Sequence, residues 1–240
     1  MLEVFNEYVS NYDMNNPKIK LKYDHSIRVM ELSLKYAKFL GFSEEDINLA
    51  YIIGLLHDIG RFEQAKRYDS YVDLETIDHA DLGCEILFGE NVIQKFDINE
   101  KYYEIIKKSI RNHNKHEIEL GLKKEELMHS KLIRYTDKLD ILYNMAHLKQ
   151  IKVVSTNEDI SPLVLEDFKN KRSVNNKNIR NSNDKIVRTF TFAFDIYNDI
   201  CLKEVKEYFK IIYENLEHKE KIKDIYDMVI SYIEERIKIC

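Results

Sequence analysis

The feature that most constrains the fold is the near absence of residues that interrupt helices. The chain has 240 residues but only six glycines and two prolines, and no glycine follows Gly121. Glycine and proline are the main breakers of regular structure, whereas the many Lys, Glu, Ile and Leu residues favour helices. No Asn-Gly or Asp-Gly pair flanked by alternating apolar residues indicates a hairpin. The sequence therefore predicts an all-α fold.

Capping residues indicate where several of these helices begin and end. Asn16-Pro17 suits a helix start and Gly41 a helix end. Ser43 precedes three acids that suit the positive end of the next helix. The expected helices cover residues 17–41, 44–60, 76–88, 100–114, 124–148, 186–217 and 219–238.

Two segments lack a helical pattern. The polar segment 61–75 is expected to be a loop, and the Asn- and Lys-rich segment 170–185 an exposed, mobile connection. Residues 186–197 favour helix, although their β-branched and aromatic residues would also support a short strand.

The domain organisation follows from the same pattern. No repeat and no clear domain boundary is visible, so residues 1–150 are expected to form one helical domain. Residues 151–240 are expected to form a helical extension packed on that domain. Its apolar helices could instead form the face of a homodimer.

Composition and charge exclude several classes of protein. A chain with 44% apolar and 33% charged residues can bury a core, and a net charge of −5 argues against a general nucleic-acid binder. No apolar run approaches the roughly 18 residues of a membrane helix. No signal peptide is visible, and three widely spaced cysteines, Cys84, Cys201 and Cys240, form neither a disulfide framework nor a zinc ribbon. A cytoplasmic protein is expected.

The residues with the clearest chemistry are histidines and aspartates on apolar helix faces. His25, His57, His113 and Asp137 share helical spacing with aliphatic residues on four separate expected helices. A single buried histidine is usually a satisfied core residue, but an unpaired buried carboxylate is costly. A shared metal ion would explain several such residues together.

Three motifs in order resemble the HD superfamily of metal-dependent phosphohydrolases. The segment HSIRV at 25–29 resembles its H-x-x-R-V opening, and LLHDIGR at 55–61 resembles its H-D-[IL]-[GA]-[KR] core. The segment YTDKLD at 135–140 resembles the sequence around its final aspartate. The resemblance covers about residues 20–145 and implies an HD-domain helical bundle with additional C-terminal helices.

The order of histidines resembles the branch of this superfamily that binds two metal ions. In that branch two extra histidines lie between the HD pair and the last aspartate, as His79 and His113 do here. His116, one turn after His113, is the rival for the last of these positions. By resemblance the first metal would be held by His25, His57, Asp58 and Asp137, and the second by His79, His113 and a bridging Asp58. The nearest named branch is the bacterial HD-type diadenosine tetraphosphate hydrolases.

The resemblance also implies an activity. The chain would cleave a phosphomonoester or phosphoanhydride of a small phosphorylated substrate, a nucleotide, by attack of a metal-activated hydroxide. The catalytic residues would be Asp58 with Arg61 and Lys138, whose positive charges would contact phosphate; each cation could instead form an ordinary surface salt bridge. The imidazole and carboxylate ligands suit Fe, Mn, Co, Ni or Zn.

Two other activities remain compatible with the motifs. A non-catalytic protein could keep such a pocket to sense a nucleotide, and a few dinuclear iron proteins of HD type are oxygenases. The complete set of six ligands favours the enzyme over the sensor, and Arg61 and Lys138 argue against the oxygenase.

Overall fold

The predicted all-α class is confirmed. The computed structural model describes residues 1–196 and 198–238, which form α-helices joined by short 3-10 and π turns and contain no strand. No helix among these residues has both the length and the apolarity needed to cross a membrane. The helices are α1 (Leu2–Val9), α2 (Pro17–Phe39), α3 (Glu44–Leu56), α4 (Ile59–Tyr68), α5 (His79–Cys84), α6 (Tyr103–Asn112), α7 (Lys124–Tyr143), α8 (Pro162–Lys169), α9 (Ser182–Phe190), α10 (Leu202–Glu214) and α11 (Lys223–Lys238).

The chain divides into two compact units, Met1–Asp137 and Lys138–Cys240. The first unit contains α1 to α6 and the part of α7 that ends at Asp137, and the second contains α8 to α11. The expectation that 151–240 packs on residues 1–150 stays a prediction.

The predicted ends of α2 and α3 follow from their capping residues. Asn16 accepts a hydrogen bond from the backbone of Lys18, and Ser43 accepts one from the backbone of Asp46. Gly41, with φ +70°, ends α2, and the backbone N–H of Phe42 donates to the carbonyl of Ala37 across it. Only glycine adopts this conformation without strain, so the short α2–α3 turn depends on it.

The predicted loop at 61–75 is wrong over its first half. Residues 61–68 belong to α4, because Phe62 and Ala65 lie on one face and are buried in the core of the first unit. The single helix predicted over 44–60 is two helices, separated at His57 and Asp58. Two apolar positions in a polar segment are too weak a pattern to indicate a helix, and tertiary packing stabilises it instead.

Two other predicted helices end earlier than expected and continue as π turns. The helix expected over 76–88 is the short α5 followed by a π turn, Glu85–Gly89. The helix expected over 124–148 ends at Tyr143 and continues as a π turn. The sequence reasoning did not identify α1 or α8.

The second unit differs most from its predicted pattern. The helix expected over 186–217 is broken into α9, a 3-10 turn at Thr191–Asp195 and α10, and Phe190 packs edge-on against Phe209 with ring centroids 5.0 Å apart. The alternative strand is not found in the described part of 186–197; Tyr197 lies outside the described residues.

The segment expected to be an exposed, mobile connection, 170–185, is partly buried. Asp184 has no exposed surface, and its carboxylate accepts hydrogen bonds from the backbone of Ser161 and Arg180. Asn181 and Asp184 form a capping box at the start of α9. Polar residues that satisfy backbone groups can order a segment whose composition resembles a loop.

The structure describes two of the three cysteines. Cys84 and Cys201 are buried, and Cys240 lies outside the described residues.

Candidate metal centre

Six of the residues singled out in the sequence come together in the first unit. Each comes from a helix or from a residue directly at a helix end, so the backbone of the bundle sets their positions. They are His25 in α2, His57 after α3, Asp58 before α4, His79 at the start of α5, His113 after α6 and Asp137 in α7. All except Asp137, whose side chain is 15% exposed, are buried residues.

Asp58 lies at the centre of this cluster and presents its two carboxylate oxygens to different histidines. Its Oδ2 lies 3.5 Å from Nε2 of His25 and 3.7 Å from Nε2 of His57. Its Oδ1 lies 3.2 Å from Nε2 of His79 and 3.5 Å from Nε2 of His113. Asp58 occupies the N-cap position of α4 but makes no capping hydrogen bond, so both oxygens face the imidazoles.

The cluster contains two groups of ligand atoms that share Asp58. His25, His57 and Asp58 form one group, and Asp58, His79 and His113 form the other. Asp137 adds a carboxylate to the first group, with Oδ1 3.1 Å from Nε2 of His25. In the second group the Nε2 atoms of His79 and His113 lie 3.0 Å apart.

Helix ends orient two of the histidines. Nδ1 of His57 lies 2.8 Å from the carbonyl oxygen of Gly54, and Nδ1 of His113 lies 2.6 Å from that of Ile110. These carbonyls belong to the last turns of α3 and α6, where carbonyls become available to side-chain donors. The carbonyl of Ile110 also accepts the backbone N–H of His113. A carbonyl only accepts, so Nδ1 carries the proton in both rings and Nε2 presents its lone pair to the cluster.

The third histidine, His79, is oriented by a carboxylate. Its Nδ1 lies 2.7 Å from Oδ2 of Asp73, which follows α4 in the segment predicted as a loop. The other oxygen of Asp73 accepts hydrogen bonds from Arg61 at 2.8 Å and from Gln64 at 2.9 Å. The Nε2 atom of His79 therefore also presents a lone pair to Asp58.

This arrangement fits divalent metal ions. Lone pairs of His79 and His113 face each other and a carboxylate oxygen at about hydrogen-bond distance, with no proton between them in these tautomers. Such a set of acceptors is unfavourable unless a cation neutralises it. A carboxylate or carbonyl on the second nitrogen of the ring is the usual partner of a metal-binding histidine.

The electrostatics keep the cluster in the protonation state that metal binding needs. Burial alone would raise the pKa of Asp58, but the positive charge of Lys22 beside it opposes that effect, and the pKa lies well below the usual range. Burial opposes ionisation of Asp137 in the same way, and His25 and His57 hold its pKa well below the usual range. Burial lowers the pKa of His113 to about 4, so this imidazole is neutral at pH 7.

Lys22 is a residue of the site that the sequence reasoning missed. Its Nζ lies 2.7 Å from Oδ2 of Asp58, and its side chain is only 17% exposed. It stands three residues, almost one helical turn, before His25 in α2. That spacing places both side chains on the same face and was the available signal.

Arg134 was missed as well. This buried arginine of α7 donates hydrogen bonds to the backbone carbonyls of Asn112, Lys115 and His116. It thereby holds the chain that leaves α6 on either side of His113. Its position three residues before Asp137 was the signal in the sequence.

The three other sequence candidates occupy different environments. Arg61 pairs with Asp73, and its Nε lies 3.8 Å from Oδ1 of Asp58. Lys138 belongs to the second unit and forms a close ion pair with Asp195. The structure brings His113 into the cluster, whereas His116 is exposed.

Comparison with known proteins identifies one family. The family model described as HD domain matches residues 23–145, half of the chain. The matched segment contains all six residues of the cluster. Lys22 lies one residue before it. No curated protein and no solved structure matches the chain.

Proposed function

Because the chain belongs to the HD-domain family, whose members are generally metal-dependent hydrolases, we propose that it is a phosphohydrolase with two metal ions. Its substrate would carry a phosphomonoester or phosphoanhydride. We propose a nucleotide as that substrate, as the resemblance of the motifs to the HD phosphohydrolases implies.

The observation that carries the proposal is the position of Asp58 between two pairs of imidazoles. Oδ2 faces His25 and His57, and Oδ1 faces His79 and His113. A carboxylate that offers one oxygen to each of two ligand groups is suited to bridge two cations. Two bound metal ions would lower the pKa of a water molecule and stabilise the charge that develops on phosphate oxygens.

The residues of the chain would supply binding, orientation and charge. His57, His79 and His113 keep their protons on Nδ1, so their Nε2 atoms remain available as ligands. Lys22 brings a positive charge to the edge of the cluster, where it suits an anionic substrate.

The test compares metal content and phosphate release in wild type and in His79→Ala. Metal content per chain is measured by mass spectrometry, and phosphate release is measured on a panel of nucleotides with the same samples. We expect about two metals in wild type and about one in His79→Ala, with activity lost. His116→Ala is the matched control, because His116 is exposed, and it should keep both metals and the activity.

The other outcomes point to specific alternatives. One metal in both proteins would contradict the dinuclear site and support a mononuclear one. Two metals without phosphate release from any nucleotide would contradict the hydrolase and favour a sensor or an oxygenase. Turnover that requires oxygen would identify the oxygenase.

A further inference from the structure

A network of side chains behind His79 lies outside the six candidate ligands. Asp73 contacts Nδ1 of His79 through Oδ2 at 2.7 Å and receives hydrogen bonds on Oδ1 from Arg61 and Gln64. Gln64 is fully buried and also donates to Thr76 and to the carbonyl of Ile77. Asp73 is therefore held on both sides.

The histidines of the cluster are oriented by different kinds of acceptor. His57 and His113 donate to neutral backbone carbonyls within three residues, Gly54 and Ile110. His79 donates to a carboxylate six residues away, in the segment after α4. An ionised partner makes the imidazole a stronger electron donor than a carbonyl does.

We propose that Asp73 is a positioning residue that sets the affinity of the second metal group, Asp58, His79 and His113, and that Arg61 acts through it. This inference rests on the proposed two-metal function. Asp73 fixes the ring of His79 and the nitrogen that carries its proton, while Arg61 and Gln64 fix Asp73. The first group, which contains His25 and His57, has no contact with Asp73 among the hydrogen bonds of the described residues.

The hydrogen bonds of Arg61 also suit it to a role other than the expected contact with phosphate. Its NH1 group donates to Asp73, to the side chain of Gln64 and to the carbonyl of Tyr71. Because NH1 of Arg61 already has three acceptors, its hydrogen bonds hold the segment that carries Asp73. Arg61 thus connects the start of α4 to the residue that orients His79.

The experiment titrates metal-free protein with Co²⁺ and follows the visible absorption of the bound ion by site. Asp73→Asn keeps the size of the side chain but replaces the carboxylate with an amide. We expect the dissociation constant of the second Co²⁺ to rise about 10- to 100-fold and that of the first to change less than about twofold. The absorption spectrum of the second ion should change as the ring of His79 loses its fixed orientation.

Asp69→Asn is the matched control. Asp69 is an exposed acid four residues earlier, and it pairs with Lys18. The control should bind both ions as wild type does. Equal affinity for the second Co²⁺ in Asp73→Asn and wild type would overturn the inference, and so would an equal loss at both sites, since that indicates general damage to the fold.

A second variant decides the question if Asp73→Asn fails to fold, as judged by circular dichroism. Arg61→Met keeps Asp73 but removes one donor to its Oδ1, so the second site should weaken several-fold and the first should not. Unchanged affinity would overturn the inference. Failure of the proposed function is distinguishable, because wild type would then bind a single Co²⁺.

Discussion

Asp58 lies beside groups of two kinds, imidazoles and an ammonium group. Lys22 lies 2.7 Å from Oδ2 of Asp58, the same oxygen that faces His25 and His57. A metal ion bound to this oxygen would compete with the ammonium group. Lys22 must therefore give up its ion pair with Asp58 when a metal binds there.

This competition predicts that Lys22→Met tightens metal binding. Removal of a charged hydrogen bond worth on the order of 1.4 kcal/mol lowers the dissociation constant of the first Co²⁺ on the order of tenfold. Calorimetric titration measures this dissociation constant. Lys20→Met is the control, since Lys20 lies on the same helix but is exposed and pairs with Asp24, outside the cluster. Weaker Co²⁺ binding by Lys22→Met would contradict the competition.

At the scale of helices, the cluster depends on how closely α4 and α5 approach each other. Gly60 lies in the first turn of α4, two residues after Asp58, and Gly83 lies in α5, which begins with His79. A Cβ at position 60 would come 2.2 Å from the carbonyl oxygen of His79 and 2.7 Å from the backbone nitrogen of Gly83. Backbone atoms cannot rotate away, so only glycine allows this contact.

We therefore expect Gly60→Ala to separate α4 from α5. The substitution should lower the free energy of unfolding by about 1–3 kcal/mol and weaken the second metal group, because Asp58 and His79 move apart. Thermal unfolding and Co²⁺ titration measure the two effects. Gly83→Ala is the matched control from the opposite side of the contact.

The control is informative because its geometry differs. A Cβ at position 83 would meet its nearest atoms, the backbone nitrogen of Gly60 and Cγ2 of Ile59, at 3.4 Å, which is ordinary van der Waals distance. Alanine there should be neutral or stabilising by up to about 1 kcal/mol through helix propensity. Equal behaviour of Gly60→Ala and Gly83→Ala would show that close packing at Gly60 does not matter.

At the scale of the whole molecule, the candidate metal centre belongs entirely to the first unit. Its six residues lie between His25 and Asp137, and that unit ends at Asp137. The second unit has buried aromatic contacts of its own, such as Phe190 on Phe209. We expect the free energy of unfolding of the metal-free protein to depend on the ionisation of the buried groups in the cluster.

The pKa of His113 predicts how this stability changes with pH. The pKa is about 4 in the folded protein and about 6.5 in the unfolded chain, so the unfolded chain binds a proton first as pH falls. The contribution of neutral His113 is complete above pH 6.5 and is lost towards pH 4, by about 3 kcal/mol at most. Asp58 and Asp137 stay ionised through this range because their pKa values are lower still.

Chemical unfolding of the protein in chelator, from pH 7 to pH 4, measures this loss. His113→Asn should show a shallower dependence, since it removes the group that titrates. His116→Asn should keep the wild-type dependence, because His116 is exposed. The same slope in wild type and His113→Asn would contradict the assignment to His113.

The sequence by itself determined the helical class and the identity of the clustered residues. The scarcity of glycine and proline favours helices throughout the chain. The motifs at 25–29, 55–61 and 135–140 are local patterns that can be recognised without knowing the fold. Helical spacing also placed His25, His57, His113 and Asp137 on apolar faces, which is where the structure has them.

Only the tertiary structure decided which side chains support that cluster. Lys22 meets Asp58 across 36 residues of chain, and Asp73 meets His79 from a segment with no helical pattern. The helix α4 likewise depends on burial of Phe62 and Ala65, two residues in a polar stretch. Contacts between distant segments are set by how the helices pack, and periodicity shows only which side chains share a face, not which distant residue they meet.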